Sequence, residues 1–334
     1  MPDLVVEDLW LGHRFGPSRL VVDEDVVTRV EAAAPGTRGA PGGPTSVMPG
    51  LIDHHVHLGL VDHTALAHGR LVEVHDLGWN PAGIASIRAD PPAGVVVRAA
   101  GPFHTAPGGY PSQRPWAPDG SVRAIVSVED IRRAVADAAA YDAVVFKITL
   151  HSAMPTFDDT TLRTLVDAVH AAGLRVGIHA EGVGQAARAI EARADVLVHA
   201  PWTERLPDEL LARAVPMTWC STVAIHDPRS QAVAVDNLRR FSAQGGRIVY
   251  GTDMGNGPTP VGPNDAEILA LGRAGLEGDA LLVALTGIDG GPQRLPVQRL
   301  LASPHPLPRT ATEVVSWLAD SRRLTVPFEE HHDR

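Results

Sequence analysis

Eight apolar, strand-like runs alternate with segments of helical period, and this alternation constrains the fold more than any other feature of the chain. The runs are SVMPGLIDHHVHLGL, LVEVHDLG, GVVVRAAG, AVVFKITL, LRVGIHAEG, DVLVHAP, VPMTWCST and RIVYGTDMG. Stretches such as DDTTLRTLVDAVHAAG and AVAVDNLRRFSAQGG lie between them, and glycine closes several, as is common at helix C-termini. Strands alternating with helices predict a closed parallel (β/α)8 TIM barrel. A doubly wound open sheet is the alternative, weakened because no Gly-rich phosphate loop follows the first strand.

Both ends of the chain depart from this alternation. LVVEDLWLG and RLVVDEDVVTRVEA have the texture of short strands and precede a Pro/Gly-rich break at residues 34–46. TEVVSWLAD and RRLTVPF near the other end also look like short strands. We therefore predict a small β-sandwich domain built from residues 1–46 and 300–330, beside a barrel formed by residues 47–299.

Composition excludes several classes of function. A net charge of -10 without a basic stripe argues against a nucleic-acid partner. No apolar stretch is long enough to span a bilayer, and MPDLVVEDLW lacks the basic start of a signal peptide. The single cysteine, Cys220, excludes an internal disulfide framework and fits a reducing compartment. We expect a cytoplasmic protein that acts on a small molecule, with a homo-oligomer left open.

Lys147 is the only lysine among 29 Lys and Arg residues, and its neighbours in VVFKITL are apolar. A buried lysine is costly unless its amine is neutralised, paired or chemically modified. Arginine supplies positive charge equally well, but it cannot supply a neutral, nucleophilic amine. Two explanations remain open for Lys147. Either it is a lysine left by chance in a sequence that otherwise uses arginine, or its position requires a primary amine.

Polar side chains follow the strand-like runs, where the carboxyl ends of barrel strands would meet. His55 and His57 share one face of the first strand because strand side chains alternate, so their imidazoles can converge on one metal. Later runs end in four further polar residues: Lys147, His179, His199 and Asp253. Each alone is more simply a hydrogen-bonded histidine or a helix cap. With 16 histidines and one cysteine, any metal here would be zinc, iron, manganese or nickel rather than a sulfur cluster.

The motif MPGLIDHHVHLG resembles the first-strand signature of the amidohydrolase superfamily of metal-dependent hydrolases. VFKITL, VGIHAEG, VLVHAPW and YGTDMG match its later metal positions in order, so the resemblance covers essentially the whole chain. VHDLG and GPFHTAPGGY look like the branch that contains imidazolonepropionase, Xaa-Pro dipeptidases and N-acyl-amino-acid hydrolases. The chain departs from the family pattern in the segment that leads back to the small domain. There TATEVVSWLAD matches the corresponding family motif only in part.

The resemblance implies a binuclear centre with two divalent metal ions, most simply Zn2+. In this family the strand-four lysine reacts with CO2, so Lys147 would be N6-carboxylated and bridge the two metals. One metal would bind His55, His57 and Asp253, and the other would bind His179 and His199. A hydroxide shared by the metals would attack the scissile carbonyl, and Asp253 would pass its proton to the leaving amine.

Candidate substrate contacts are less specific. Tyr110 and His104 lie in GPFHTAPGGYPSQRPWAP, a loop long enough to line a pocket, and Trp202 follows the sixth strand directly. Tyr110 could hydrogen-bond a substrate carbonyl or carboxylate, and Trp202 could form an apolar wall. Glu181 is either a second acid near His179 or a surface charge, and His151 has no assigned place.

The sequence thus predicts a metal-dependent hydrolase that cleaves an amide-type C–N bond in a lactam, a cyclic imide, or an N-acyl or peptidic amide. A mononuclear deaminase of the same superfamily is an alternative, although its expected glutamate position is Gly182 here. A lactone or ester hydrolase is a second alternative, because the same metal pair can attack esters. A catalytically dead binding scaffold is a third, and such proteins typically lose ligands that this chain keeps.

Overall fold

The computed structural model describes residues 4–34, 43–290 and 294–325. Within these ranges the strands, in chain order, are β1 Leu4–Val6, β2 Asp8–Leu9, β3 Ser18–Asp23, β4 Val26–Ala32, β5 Ser46–Pro49, β6 Leu51–Val56, β7 Leu71–Asp76, β8 Val96–Ala99, β9 Phe103–Thr105, β10 Val122–Ala124, β11 Phe146–His151, β12 Val176–Glu181, β13 Val196–Leu197, β14 Thr218–Cys220, β15 Arg247–Val249, β16 Leu295–Pro296, β17 Leu300–Ser303 and β18 Arg322–Arg323.

The α-helices of the same ranges are α1 Pro81–Ala89, α2 Val128–Ala140, α3 Asp159–Ala171, α4 Gln185–Glu191, α5 Asp208–Ala214, α6 Pro228–Ala243, α7 Asp265–Arg273, α8 Gly278–Thr286 and α9 Ala311–Ala319. Three short 3₁₀ turns cover Leu58–Leu60, His63–Leu66 and Val297–Arg299. None of the helices in these ranges combines the length and apolarity needed to cross a membrane.

Two parallel sheets form the larger part of this mixed α/β fold. One has seven strands in the order β10-β9-β11-β12-β13-β14-β15, and the other has three in the order β6-β7-β8. Each of the eight predicted strand runs contains one strand of these sheets. The strand prediction is therefore confirmed for this part of the chain. The alternative of a doubly wound open sheet is weakened by the backbone hydrogen bonds between the two sheets, described next.

Backbone hydrogen bonds join the two parallel sheets at two places. At one, Val144 N donates to Ala99 O at 2.9 Å, which brings the start of β11 beside the end of β8. At the other, His54 N donates to Tyr250 O at 3.0 Å and Asp253 N donates to His55 O at 2.8 Å. These links bring residues after β15 against β6, so the candidate ligands His55 and Asp253, from the two ends of the strand series, become neighbours.

Helices cover the parallel sheets with their apolar faces, and α3 illustrates why. Asp158 caps its first turn by accepting a hydrogen bond from Thr161 N at 2.7 Å. Its buried side chains recur at intervals of three and four residues, which places them on one face: Leu162, Leu165, Val166 and Val169. They belong to the main hydrophobic core together with Ile148 and Ile178 of the strands.

The chain ends form two further sheets, with strand orders β1-β3-β4-β16 and β18-β17-β5-β2. A second hydrophobic cluster lies among them and takes residues from both ends: Val6, Leu9, Leu11, Leu20, Val22, Val27, Val47, Val297, Leu300, Ala302 and Leu324. The predicted strands near the N-terminal end are thus confirmed. The proposed domain limits stay a prediction, and parts of them, 1–3, 35–42 and 326–330, lie outside the described residues.

One prediction for the C-terminal region is wrong, because TEVVSWLAD is helix α9 rather than a strand. Thr310 and Glu313 form a capping box: each side chain accepts a hydrogen bond from the other residue's backbone N–H. The buried side chains, Val314, Trp317 and Leu318, are spaced as on one helix face. In RRLTVPF only Arg322–Arg323 is a strand, and residues 326–328 lie outside the described ranges.

The first strand run is also two strands rather than one. Gly50 separates β5, which pairs with the terminal strands, from β6, which pairs with β7. A Cβ at Gly50 would come within 2.2 Å of Val72 Cγ1, so the close approach of these segments requires glycine. The chain therefore passes from the terminal sheets to the parallel sheets within a single residue.

Candidate metal centre and its cavity

The six predicted ligand positions lie together, on the parallel strands or directly after them. They line one cavity of about 350 Å³: His55, His57, Lys147, His179, His199 and Asp253. All six are buried, with at most 6% of any of them exposed. Side-chain alternation on β6 explains the first pair, because His55 and His57 line the cavity while His54 packs against His75 on the other face.

Three of these side chains form a compact group that could hold a metal ion. One ligand atom from each of His55, His199 and Asp253 lies within 4.8 Å of the others. Asp253 Oδ1 is 3.4 Å from His55 Nε2 and 3.2 Å from His57 Nε2. Within the described part of the chain, His55 Nε2 and Asp253 Oδ1 are buried without a hydrogen-bond partner. Buried polar atoms are rarely left unpaired, so these two atoms fit ligands of an ion.

The remaining ring nitrogens fix the imidazoles. His55 Nδ1 lies 2.7 Å from Val198 O, and His57 Nδ1 lies 3.0 Å from Gly78 O. A carbonyl oxygen only accepts, so each Nδ1 carries a proton. This leaves the lone pair of His55 Nε2 free for a metal, whereas His57 Nε2 faces Asp253 Oδ1 at 3.2 Å. His199 Nδ1 instead contacts the Thr222 hydroxyl at 2.8 Å, and a hydroxyl can donate or accept.

The electrostatics of the group favour an ionised carboxylate among imidazoles. Burial alone would raise the pKa of Asp253, but the neighbouring His55, His57 and His199 hold it well below its usual range. Burial lowers the pKa of His55 and of His199 well below the usual value, which keeps these rings neutral. For His57, the nearby carboxylate of Asp253 outweighs burial, so its pKa is raised. The neutral imidazoles of His55 and His199 with the Asp253 carboxylate form a donor set that suits zinc and similar divalent ions.

Lys147 lies on β11 with only 1% of its surface exposed. Burial lowers the pKa of its amine to about 7, and the nearby Asp253 opposes part of that shift. Its Nζ is 5.8 Å from the centre of the Phe103 ring. The lowered pKa favours the neutral amine, which is the form that nucleophilic chemistry at Nζ requires.

Glu181 connects the cavity to two histidines. Its Oε2 is 3.2 Å from His179 Nε2, and its Oε1 is 3.3 Å from His151 Nε2. The hydrogen bond to His179 is the main reason why the pKa of Glu181 lies below its usual value. His179 thus points its Nε2 at a carboxylate, and it is not a member of the compact group with His55. The place of His151, which sequence reasoning left open, is beside Glu181.

Two of the three predicted substrate contacts line the cavity. The Tyr110 ring stacks on His179, with centroids 4.8 Å apart and an interplanar angle of 19°. The Trp202 ring lies 5.2 Å from that of His199 in an edge-to-face arrangement. Both rings therefore contact the histidines, as walls of the cavity would.

His104 is placed elsewhere, which corrects its inclusion with Tyr110 and Trp202. It lines a separate cavity with Arg123, Asp137 and Tyr141, its ring stacks on Phe146, and its Nδ1 lies 3.0 Å from Lys147 O. The reason is strand alternation on β9: Phe103 faces the main cavity, so His104 faces the opposite side.

Sequence reasoning missed several residues that line the cavity. Phe103 and Trp116 lie beside His57, with ring centroids 5.7 and 6.3 Å from its own. His226 stacks on Trp202 at 4.5 Å, and Asn256 Nδ2 donates to Asp253 Oδ2 at 2.8 Å. Apart from strand alternation at Phe103, these residues come from loops and carry no periodic signal.

Comparison with solved structures shows the same fold in several enzymes. A Xaa-Pro dipeptidase with bound methionine in the active site matches with a TM-score of 0.72 at 18% identity, over 95% of this chain and 96% of that one. An amidohydrolase matches with a TM-score of 0.71 at 16% identity, over 93% of each chain. The A. niger ochratoxinase matches with a TM-score of 0.69 at 17% identity, over 90% of this chain and 89% of that one.

No sequence-family description matches the chain, and no curated protein matches it in sequence. At these identities the likeness concerns the fold. The solved structures that share it are amidohydrolase-superfamily enzymes, consistent with the resemblance carried by the sequence motifs.

Proposed function

We propose that this chain is a metal-dependent amidohydrolase that cleaves an amide-type C–N bond in a small molecule. The observation that carries the proposal is the group of His55, His199 and Asp253, in which His55 Nε2 and Asp253 Oδ1 are buried without a hydrogen-bond partner among the described residues. The proposal includes a closed (β/α)8 barrel over residues 47–299 and a β-sandwich domain from residues 1–46 and 300–330. The edge-to-edge hydrogen bonds and the second hydrophobic cluster support this division.

Six side chains would hold two divalent ions, most simply Zn2+. The first ion would be bound by His55, His57 and Asp253. The second would be bound by His179 and His199. Carboxylated Lys147 would bind both ions. When bound, such ions acidify water and polarise a carbonyl oxygen. The buried, preoriented imidazoles support this assignment most directly for the group around Asp253.

Lys147 would become a carbamate before the enzyme is competent. Its neutral Nζ forms a bond to the carbon of CO2, one C=O π bond becomes a carboxylate, and the amine proton leaves to solvent. The product is an anion that would face the two divalent cations. The free-energy cost of burying an unpaired ammonium would therefore disappear. Arginine stays protonated and cannot follow this course.

Asp253 would move the proton in the reaction. Its carboxylate would take a proton from water and return it to the leaving nitrogen, while Oδ1 lies on the histidine side and Oδ2 accepts a hydrogen bond from Asn256. Tyr110 and Trp202 would orient the substrate from the walls of the cavity. A carboxylate held ionised by its neighbours suits the first half of this role.

A mononuclear deaminase is the second candidate, and one observation favours it. Only His55, His199 and Asp253 form a compact group among the described residues, while His179 pairs with Glu181. A lactone or ester hydrolase and a dead scaffold remain weaker alternatives. Screening the zinc-loaded protein against amide, lactam and lactone libraries separates these classes, and release of ammonia from an aromatic amine would favour the deaminase.

Metal content is a direct test of the binuclear proposal. We expect about two zinc ions per chain after growth with ample zinc and bicarbonate, because six ligand positions exceed one tetrahedral site. Elemental analysis of the purified protein measures this. One tightly bound ion or fewer per chain would contradict the binuclear centre and favour the mononuclear candidate.

Thr222 offers a test of the group that is independent of turnover. Thr222→Val removes the hydroxyl that contacts His199 Nδ1 and leaves a side chain of similar shape. Loss of such a supporting contact typically weakens metal binding by about 10–100-fold. Competition with a chromophoric chelator measures the zinc affinity. Thr222→Ser keeps the hydroxyl and should retain affinity, and equal affinity in Thr222→Val would argue against His199 as a ligand.

A further inference from the structure

The cavity around the candidate metal centre has aromatic walls on both sides. Trp202 is edge-on to His199 at 5.2 Å and stacks on His226, which extends its flat face outward. Tyr110 stacks on His179, and Trp116 lies 6.3 Å from both Tyr110 and His57. If the scissile bond of a substrate lay at the histidines, a substituent next to that bond would therefore contact aromatic ring faces and edges rather than water.

The charged side chains of this cavity are unsuited to an anion. Its lining contains the carboxylates of Glu181 and Asp253, and among the described residues that line it there is no arginine. Its one lysine, Lys147, is 1% exposed and becomes an anion under the proposed function. A substrate carboxylate that lay beside the aromatic walls, away from the metal ligands, would lose its hydration without a cationic side chain of the cavity lining to pair with.

Arg114 is an arginine that contacts one of these walls. It is exposed, and its guanidinium carbon lies 5.5 Å from the centre of the Tyr110 ring. Packed on the ring, it extends the apolar side of the wall, and it does not line the cavity. It is therefore the residue to remove when anion recognition is tested.

We infer that this cavity takes uncharged amides bearing an aromatic ring, and that it discriminates against substrates with a free carboxylate such as N-acyl-amino acids and dipeptides. This inference rests on the proposed function and names its substrate class. The aromatic ring would lie against Trp202 and Trp116, and a volume of about 350 Å³ leaves room for one such group beside the scissile bond.

Three ligands that differ by one group each test this class: phenylacetyl-pyrrolidine, phenylacetyl-proline and acetyl-pyrrolidine. Binding to the full-length protein as purified is followed by tryptophan fluorescence, because Trp116 and Trp202 line the cavity. We expect phenylacetyl-pyrrolidine to bind at least about 100-fold more tightly than its carboxylate analogue, since the added charge finds no partner. We expect it to bind roughly 10–200-fold more tightly than the acetyl analogue, the range typical of added apolar groups.

Variants locate the effect. Trp202→Ala should remove most of the difference between the phenylacetyl and acetyl ligands, Trp202→Phe should retain it, and Leu269→Ala, a partly exposed change on α7, should leave it unaltered. Arg114→Ala should leave the order of the three ligands unchanged. Tighter binding of phenylacetyl-proline, or no binding of any ligand, overturns the inference, and a carboxylate preference lost in Arg114→Ala would identify Arg114 as the anion site.

The same series separates this inference from the proposed function. Selective binding without hydrolysis of any amide by the zinc-loaded protein would count against the amidohydrolase and leave the recognition of uncharged aromatic ligands in place. Hydrolysis with a preference for the carboxylate ligand would support the amidohydrolase and overturn the substrate class.

Discussion

Replacing Asp253 by Asn is expected to lower turnover by about 10²–10⁴-fold or more, the usual range for loss of a general base, while largely preserving fold and metal content. The backbone supports this separation. Asp253 has a φ of 53°, a left-handed conformation that asparagine adopts as readily as aspartate. The amide oxygen can still face a metal, but the amide cannot take up and return a proton. Steady-state kinetics, elemental analysis and circular dichroism measure the three quantities.

Asp227→Asn is the matched control. Asp227 caps α6 by accepting hydrogen bonds from Arg229 N and Ser230 N, and asparagine is an equally good cap. This variant should keep full activity. If Asp253→Asn also stayed active, Asp253 could not be the group that moves the proton, and another side chain of the cavity would have to serve.

The arrangement of the candidate centre follows from simple periodicity and could be read from the sequence. His55 and His57 are two residues apart on a strand, so both face the cavity, while His54 faces away. Lys147, His179 and Asp253 come at or just after parallel strands, whose carboxyl ends meet at one rim. What the sequence could not supply is which nitrogen is free, because that depends on Val198 O, Gly78 O and Thr222 Oγ1 from distant segments.

The fold was predictable wherever strands and helices alternate, and it was misjudged where a short apolar run stood alone. TEVVSWLAD contains adjacent valines, and such a run fits a strand or a buried helix equally by composition. The deciding signal was local: Thr310 and Glu313 have the spacing of a capping box, and it was overlooked. His104 failed for a similar reason, because the segment Phe103–Thr105 was taken as loop and its alternation was not applied.

The aromatic walls could not be predicted, because their contacts join residues far apart in the sequence. His226 stacks on Trp202, and Trp116 lies near His57, through loops without periodicity. Loop residues are positioned by the tertiary fold rather than by local propensity. The substrate class is accordingly an inference from the structure, whereas the metal-binding chemistry was already suggested by the motifs.

Lys147→Arg is expected to abolish activity and the second metal, although the formal charge is conserved. Arginine cannot form the carbamate, and it would place a fixed cation beside two divalent ions with nothing to compensate it. Arg163→Lys is the control: Arg163 is exposed on α3, so a second lysine there should change neither metal content nor turnover. Elemental analysis and kinetics on the two variants test whether the position of the amine matters. Activity in Lys147→Arg would exclude the carbamate.

Lys147→Ala separates the carbamate from simple packing. This variant removes the bridge and leaves a buried space beside Phe103 and the histidines of the cavity, so short carboxylic acids such as formate or acetate should partly restore activity by taking the place of the carbamate. 1-Propanol, which has the shape of the lost side chain but no amine that could form a carbamate, should not restore it. Acidic mass spectrometry is a poor readout because carbamates decompose in acid, so density at Lys147 Nζ in a zinc-loaded crystal decides. A bare ammonium directed away from the metals would overturn the carbamate and leave the one-metal site as the better account.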